Sequence, residues 1–173
     1  LEETISKNNL ARFNRAVSAL SGAGLVLAVG LHEAAVVAEY ASYVLELLGI
    51  PCCAVTAGTE ADVARLTRLE AGDVLLAVGF RRAHSVTLAF TERAAAMGAT
   101  VVVVTDNSLS ELAGKSDLTL YADIDSTFFA HSLVGPLSLV TALAAGIYSR
   151  DRDRHDAAVR LVRESAPESG WLR

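Results

Sequence analysis

"GDVLLAVGFRRAHSVTLAFTERAAAMGATVVVVTD", residues 72–106, carries one complete turn of the chain's architecture. An apolar run through Val78 stops at Gly79. A segment with Val86, Phe90 and Met97 at helical spacing follows and ends at Gly98. A second apolar run then reaches Thr105. Continuous Val- and Leu-rich runs suit strands covered on both faces, and a helix between two such runs makes them a parallel pair.

The same pattern extends outward in both directions. "LVLAVG" (25–30), "CCAVT" (52–56) and "LTLYA" (118–122) join "DVLLAVGF" (73–80) and "TVVVVT" (100–105) as strand candidates. Helical spacing marks 34–48, with Val36, Val37, Tyr40, Val44 and Leu47, and also 84–97 and 128–148. A further helix is expected over 59–70, with Thr59 as its N-cap and Asp62 in its first turn. Gly49, Gly72 and Gly98 stand where helices hand over to strands. Residues 2–20 read as one leading amphipathic helix with Ile5, Leu10, Phe13, Val17 and Leu20 on one side, and 151–165 as a polar terminal helix.

The expected fold class is α/β. It is a three-layer α/β/α sandwich with a five-stranded parallel sheet in a flavodoxin-like, doubly wound order. One domain is expected over 1–173, with a core at about 2–150 and a polar helix and tail at 151–173.

Composition narrows the function classes. The 173 residues are 52% hydrophobic with a net charge of −5, and the only lysines are Lys7 and Lys115. Phosphate-backbone binding needs clustered Lys and Arg, so nucleic-acid binding by this piece alone is disfavoured. The longest apolar stretch, 132–148, is broken by Gly135, Pro136, Ser138 and Thr141 and reads as a buried helix, not a membrane span. Cys52 and Cys53 are adjacent, so on a strand they point to opposite faces and cannot pair with each other. The chain opens "LEETISKNN" without an initiator Met or a leader-like segment, and a reducing, cytoplasmic location is expected. His32, His84, His131 and His155 lie on separate elements, so neither a metal site nor a cofactor is expected.

In doubly wound sheets, ligands bind beyond the carboxyl ends of the strands, near the switch in strand order. That rule selects the loops that begin at Gly30, Thr56, Gly79, Thr105 and Ala122. After Gly30 come His32 and Glu33 at a helix start, with no dinucleotide-binding glycine fingerprint. After Gly79 come Arg81, Arg82, His84 and Ser85. A helix N-terminus there favours anions, and guanidinium groups would strengthen a phosphate or carboxylate site. The alternative is that the arginines pair with Asp106, Asp123, Asp125 or another subunit's acids. "TDNS" (105–108) reads as a sugar-hydroxyl contact or as an ordinary turn. In "DIDSTFFAHSLVGP" (123–136), Ser126 or Thr127 would cap the following helix, at an end that also faces the cleft.

These stretches together resemble the sugar isomerase (SIS) domain. The progression through "GDVLLAVGF", "GATVVVVTD", "SLSELAGKSD" and "STFFAHSLVGPLSLVTALAAGI" carries the likeness over roughly residues 2–150. More narrowly, the chain resembles the ligand-sensing domain of RpiR/MurR-type bacterial transcription regulators. That resemblance implies an SIS fold and an effector-sensing domain that binds a phosphosugar or related anionic sugar metabolite. It also implies DNA binding by a separate N-terminal helix-turn-helix domain, expected to be absent from this chain. A homodimer or higher homo-oligomer is expected, with the small-residue-rich helices 34–48 and 132–148 at its interface.

Two family motifs are replaced. Where SIS domains carry G-x-G-x-S after the first strand, this chain has Gly30, His32 and Ala34. Where they carry the serine-rich S-x-S-G-x-T phosphate loop, it has Gly79, Arg81, Arg82 and His84. The hydroxyl cradle is gone, and "FRR" resembles a subgroup of the regulators. Ligand contacts are therefore expected at Gly30, His32, Glu33, Gly79, Arg81, Arg82, His84, Ser85, Ser126 and Thr127. No catalytic residue is expected. The rival functions are a sugar-phosphate aldose–ketose isomerase, with Glu33, His84 or His131 as its base, and a dimerisation module without ligand.

Overall fold

Each apolar run folds as a strand: β1 (Val26–Val29), β2 (Cys52–Val55), β3 (Val74–Val78), β4 (Thr100–Thr105) and β5 (Leu118–Tyr121). In the computed structural model, which describes residues 2–165, they form one parallel sheet in the order β2-β1-β3-β4-β5. Around it lie α1 (Glu2–Ser6), α2 (Leu10–Gly22), α3 (Glu33–Leu47), α4 (Glu60–Leu66), α5 (Ser85–Ala96), α6 (Val134–Tyr148) and α7 (Arg152–Ser165).

The alternation of side chains along a strand divides the interior in two. Val74, Leu76 and Val78 face one cluster with Val17 and Leu20 of α2, Val37 and Ala41 of α3, and Leu139 and Leu143 of α6. Leu75 and Ala77 face the other, with Leu66 of α4, Phe90 and Ala94 of α5, and Leu112. Those are the three expected layers. Cys52 packs into the first cluster and Cys53 against the second, so the neighbouring thiols lie on opposite faces of the sheet. Burial pushes the Cys52 thiol up to about 12, which leaves it protonated and inert at neutral pH.

Gly49, Gly72 and Gly98 have φ of 74°, 100° and 82°, as expected of glycines that end helices and turn the chain. Thr59 caps α4 in a reciprocal box. Its Oγ1 accepts from Asp62 N–H at 3.3 Å, and its own N–H donates to Asp62 Oδ2 at 2.9 Å.

Three expectations are corrected. The leading helix is two helices, because Asn9 caps α2 by accepting from Ala11 N–H at 2.7 Å while Asn8 is engaged by β5. Ile5 and Leu10, 75% and 73% exposed, therefore leave the apolar stripe, which keeps Phe13, Val17 and Leu20. The helix expected over 59–70 stops at Leu66, where Arg68 and Leu69 donate to carbonyls only three residues back and the ladder tightens into a turn.

The helix expected from 128 begins at Val134. Starting at 128 would put Pro136 in a helix interior, where its ring blocks a ladder bond; at Val134, Pro136 falls in the first turn, where no donor is needed. Ser126 and Thr127 thus do not cap α6, and Ser126 Oγ accepts from Phe128 N–H at 3.1 Å within an exposed loop. The polar helix at 151–165 forms as α7, and residues 166–173 of the expected tail lie outside the described residues. Among the described residues no helix is long and apolar enough to cross a membrane.

Candidate functional site

Strand order reverses between β1 and β3, and a cavity of about 300 Å³ opens there, beyond their carboxyl ends. One wall is the β1–α3 loop with Leu31, His32 and Glu33. The other is the β3–α5 loop with Gly79, Phe80, Arg82 and His84; Thr87 of α5 closes the side. A larger groove, about 470 Å³, runs between the α1–α2 corner and α6 and is lined by Ile5, Leu10, Phe13 and Leu139 without a charged group. The smaller cavity is the chemically furnished one.

Backbone strain concentrates at its mouth. Among the described residues the only non-glycines with positive φ are His32, at 57°, and Arg81, at 52°. Each sits in one of the two framing loops. Such conformations cost on the order of 1–3 kcal/mol and persist only where the surroundings hold them, so they point to the site independently of its charge. Gly30 begins the first loop because a Cβ there would run into the Ala34 carbonyl of α3.

Two imidazoles meet at the cavity, and one of them has a fixed role. His84 is the N-cap of α5, and its Nδ1 accepts from Val86 N–H at 3.2 Å. Its neutral form therefore carries the proton on Nε2. Its ring lies 5.1 Å from that of His32, tilted by 50°. Glu33, in the first turn of α3, meets His131 from 98 residues away, with 2.6 Å between Glu33 Oε1 and His131 Nδ1. A carboxylate only accepts, so Nδ1–H of His131 is the donor.

The adjacent arginines part company. Arg82 lines the cavity. Arg81 lies outside that lining, exposed, and its backbone N–H donates to Asp106 Oδ1 at 2.8 Å. Burial opposes ionisation of Asp106, but bonds from Arg81 N–H, the Asn107 amide and Thr105 outweigh it and hold its carboxyl below the usual range. Among the described residues neither guanidinium pairs with a carboxylate, and Asp123 is 3.6 Å from Lys7 Nζ instead. "TDNS" builds a turn in which Asn107 Oδ1 accepts from Leu109 N–H at 2.9 Å.

Of the expected contacts, the fold gathers His32, Glu33, Gly79, Arg82 and His84 around one cavity. Gly30, Arg81 and Ser85 flank it, and Ser126 and Thr127 stand apart in the exposed loop. The same loop delivers His131, whose partnership with Glu33 has no signal in local sequence. Among the described residues one acidic cluster, Glu3, Asp123 and Asp125, brings carboxylate oxygens within 4.8 Å, and Lys7 bridges the first two.

The sequence model of the SIS domain family matches residues 20–146. The chain belongs to the SIS domain family. Its SIS fold is similar to the sugar isomerase domain of the RpiR transcription factor from Sphaerobacter thermophilus, at 29% identity and a TM-score of 0.91, over 95% of this chain and 92% of that one. The Vibrio vulnificus NanR protein complexed with ManNAc-6P matches at 21% identity and a TM-score of 0.82, over 96% of this chain but 64% of that longer chain. A protein from Methanococcus jannaschii, for which a molecular function of 3-hexulose-6-phosphate isomerase has been inferred, matches at 13% identity and a TM-score of 0.70, over 86% of this chain and 82% of that one. The SIS domain here thus shares its fold with the sugar isomerase domain of a transcription factor, with a protein complexed with ManNAc-6P and with a protein inferred to be an isomerase.

Proposed function

We propose that this SIS domain is the effector-sensing module of a bacterial RpiR-type transcription regulator and binds a phosphosugar or related anionic sugar metabolite. The observation that carries the reading is the cavity itself: Arg82, His32 and His84 surround a space of about 300 Å³, and Arg82 has no intrachain carboxylate among the described residues. Guanidinium forks bind phosphate and carboxylate with two parallel bonds, so Arg82 supplies the anion contact that the missing hydroxyl cradle would have made. Glu33 supplies an acceptor for sugar hydroxyls. Likeness to the RpiR domain and to NanR with its sugar phosphate supports the assignment.

In this reading the protein works in the cytoplasm as a homodimer, and a separate N-terminal domain contacts DNA. Effector binding favours one dimer geometry over another. No catalytic step is assigned.

The test is a thermal-shift screen of sugar phosphates, sugar acids and phosphosugar acids. A ligand at one hundred times its dissociation constant stabilises by about 2.7 kcal/mol, which the melting midpoint reports. Arg82→Ala should abolish the shift. Retention of the full shift in that variant, or silence of the wild type across all three classes, would refute the reading; silence would favour a dimerisation module without ligand. A second reading, aldose–ketose isomerase, is favoured by one observation, the 2.6 Å Glu33–His131 contact, which resembles a base with its orienting partner. Turnover in a coupled assay that disappears in Glu33→Gln would establish it.

A further inference from the structure

We infer that the Glu33–His131 contact reports occupancy of the cavity to the N-terminal helix α1, a step that rests on the anion-sensing reading above. Glu33 lines the cavity, and His131 holds its carboxylate from the loop that precedes α6. That loop is closed on itself: Ser132 N–H donates to the Ile124 carbonyl at 3.0 Å, so its beginning and its end lie side by side. At its beginning, Asp123 N–H donates to Thr4 Oγ1 at 3.0 Å, and the Asp123 carboxylate is 3.6 Å from Lys7. At its end, Gly135 in the first turn of α6 lies so close to the Asp123 carbonyl and Thr4 Oγ1 that a Cβ would strike both. His131 is therefore joined to α1 through one hydrogen-bonded loop and the close approach of Gly135 to Asp123 and Thr4.

The mechanical properties of these parts fit a relay. Ala122, Ile124, Gly135 and Pro136 are buried and form a firm pivot. The arm between them, 125–130, is exposed throughout, including Phe129 at 92%, so little burial is lost when it shifts. On the far side, α1 is a single short helix whose only buried residue is Thr4, the one that touches Asp123.

The driving force is electrostatic. An anion held by Arg82 brings negative charge beside the Glu33 carboxylate in a partly enclosed cleft, where like charges repel far more than in open water. The anion also offers His131 a second acceptor. Either response, Glu33 turning out or His131 turning in, exchanges the contact that fixes the end of the loop. A ligand gains leverage over α1 only through such a difference between two arrangements. Cavity and helix then share one equilibrium.

Hydrogen–deuterium exchange of the intact chain, read on peptides that span α1 and on β4 as a control, tests this. Without ligand, His131→Ala should speed exchange in α1 several-fold and leave β4 unchanged. His131→Asn, whose side-chain N–H can replace the Nδ1 donor, should restore wild-type exchange. ManNAc-6P and 6-phosphogluconate serve as probes. Whichever raises the melting midpoint should alter α1 exchange in the wild type and leave it unaltered in His131→Ala. A probe that raises the midpoint without touching α1 exchange overturns the relay and leaves sensing intact, as does wild-type α1 exchange in His131→Ala. Any other compound of the screen that raises the midpoint serves as a probe in the same way; if none does, the sensing reading fails and the relay falls with it.

Discussion

Arg81 holds φ at 52° while its backbone N–H reaches Asp106, so the position is defined by main chain and not by the guanidinium. Glycine tolerates that conformation and β-branched residues do not. Arg81→Gly should therefore change stability by less than about 1 kcal/mol, whereas Arg81→Val should cost about 1–2 kcal/mol, as read from urea midpoints. Equal midpoints for the two variants would mean the left-handed conformation does not matter. Arg82, its neighbour, lines the cavity. Nothing in the dipeptide distinguishes the two, because the carboxylate that holds Arg81 N–H lies twenty-five residues away in sequence. His84 was legible as a residue at a helix start, but its role as acceptor for Val86 N–H, and hence the proton on Nε2, needs coordinates.

At the scale of elements, α4 shows what local sequence can fix. "TEAD" contains both halves of its capping box, and the fold builds both bonds. Burial opposes ionisation of Asp62, yet the Thr59 N–H and hydroxyl and the Arg65 guanidinium outweigh it and hold the carboxyl below its usual value. A depressed carboxylate contributes stability that is fully present above its unfolded pKa, about 4, and is lost as pH falls through the folded value. Thr59→Ala should thus cost about 1 kcal/mol at pH 7 and progressively less below about pH 4. Parallel denaturation curves at the two pH values check it, and a cost that does not shrink in acid would assign the stabilisation to something other than the ionised box. The start of α6 was less legible. Apolar spacing runs on through Phe128 and Phe129, but Pro136, the Ser132–Ile124 bond and the Glu33–His131 contact pin 123–133 as a loop. The last of these reaches across 98 residues and leaves no trace in local pattern.

For the whole molecule, strand identity and layer order were readable because parallel strands buried on both faces are apolar at every position, a pattern few other elements produce. The doubly wound order pointed to five loops at the carboxyl ends of the strands, and the fold places the cavity at two of them, those that follow β1 and β3. What pattern did not supply was the corner between α1 and α2. Asn8 there donates to the Tyr121 carbonyl at 2.7 Å and accepts from Tyr121 N–H at 2.8 Å, while Arg12 reaches the Thr119 carbonyl at 3.4 Å. These are the outward-facing main-chain groups of β5, the border strand of the sheet. A side-chain amide thus stands in for a sixth strand. An open, apolar border strand is a template for pairing with other chains, and one asparagine occupies that template here. Asn8→Ala, more than most surface changes, should turn refolding at high protein concentration toward aggregates, seen as light scattering with an intermolecular β-sheet infrared band. Scattering no greater than wild type would show that α2 alone keeps the sheet from growing.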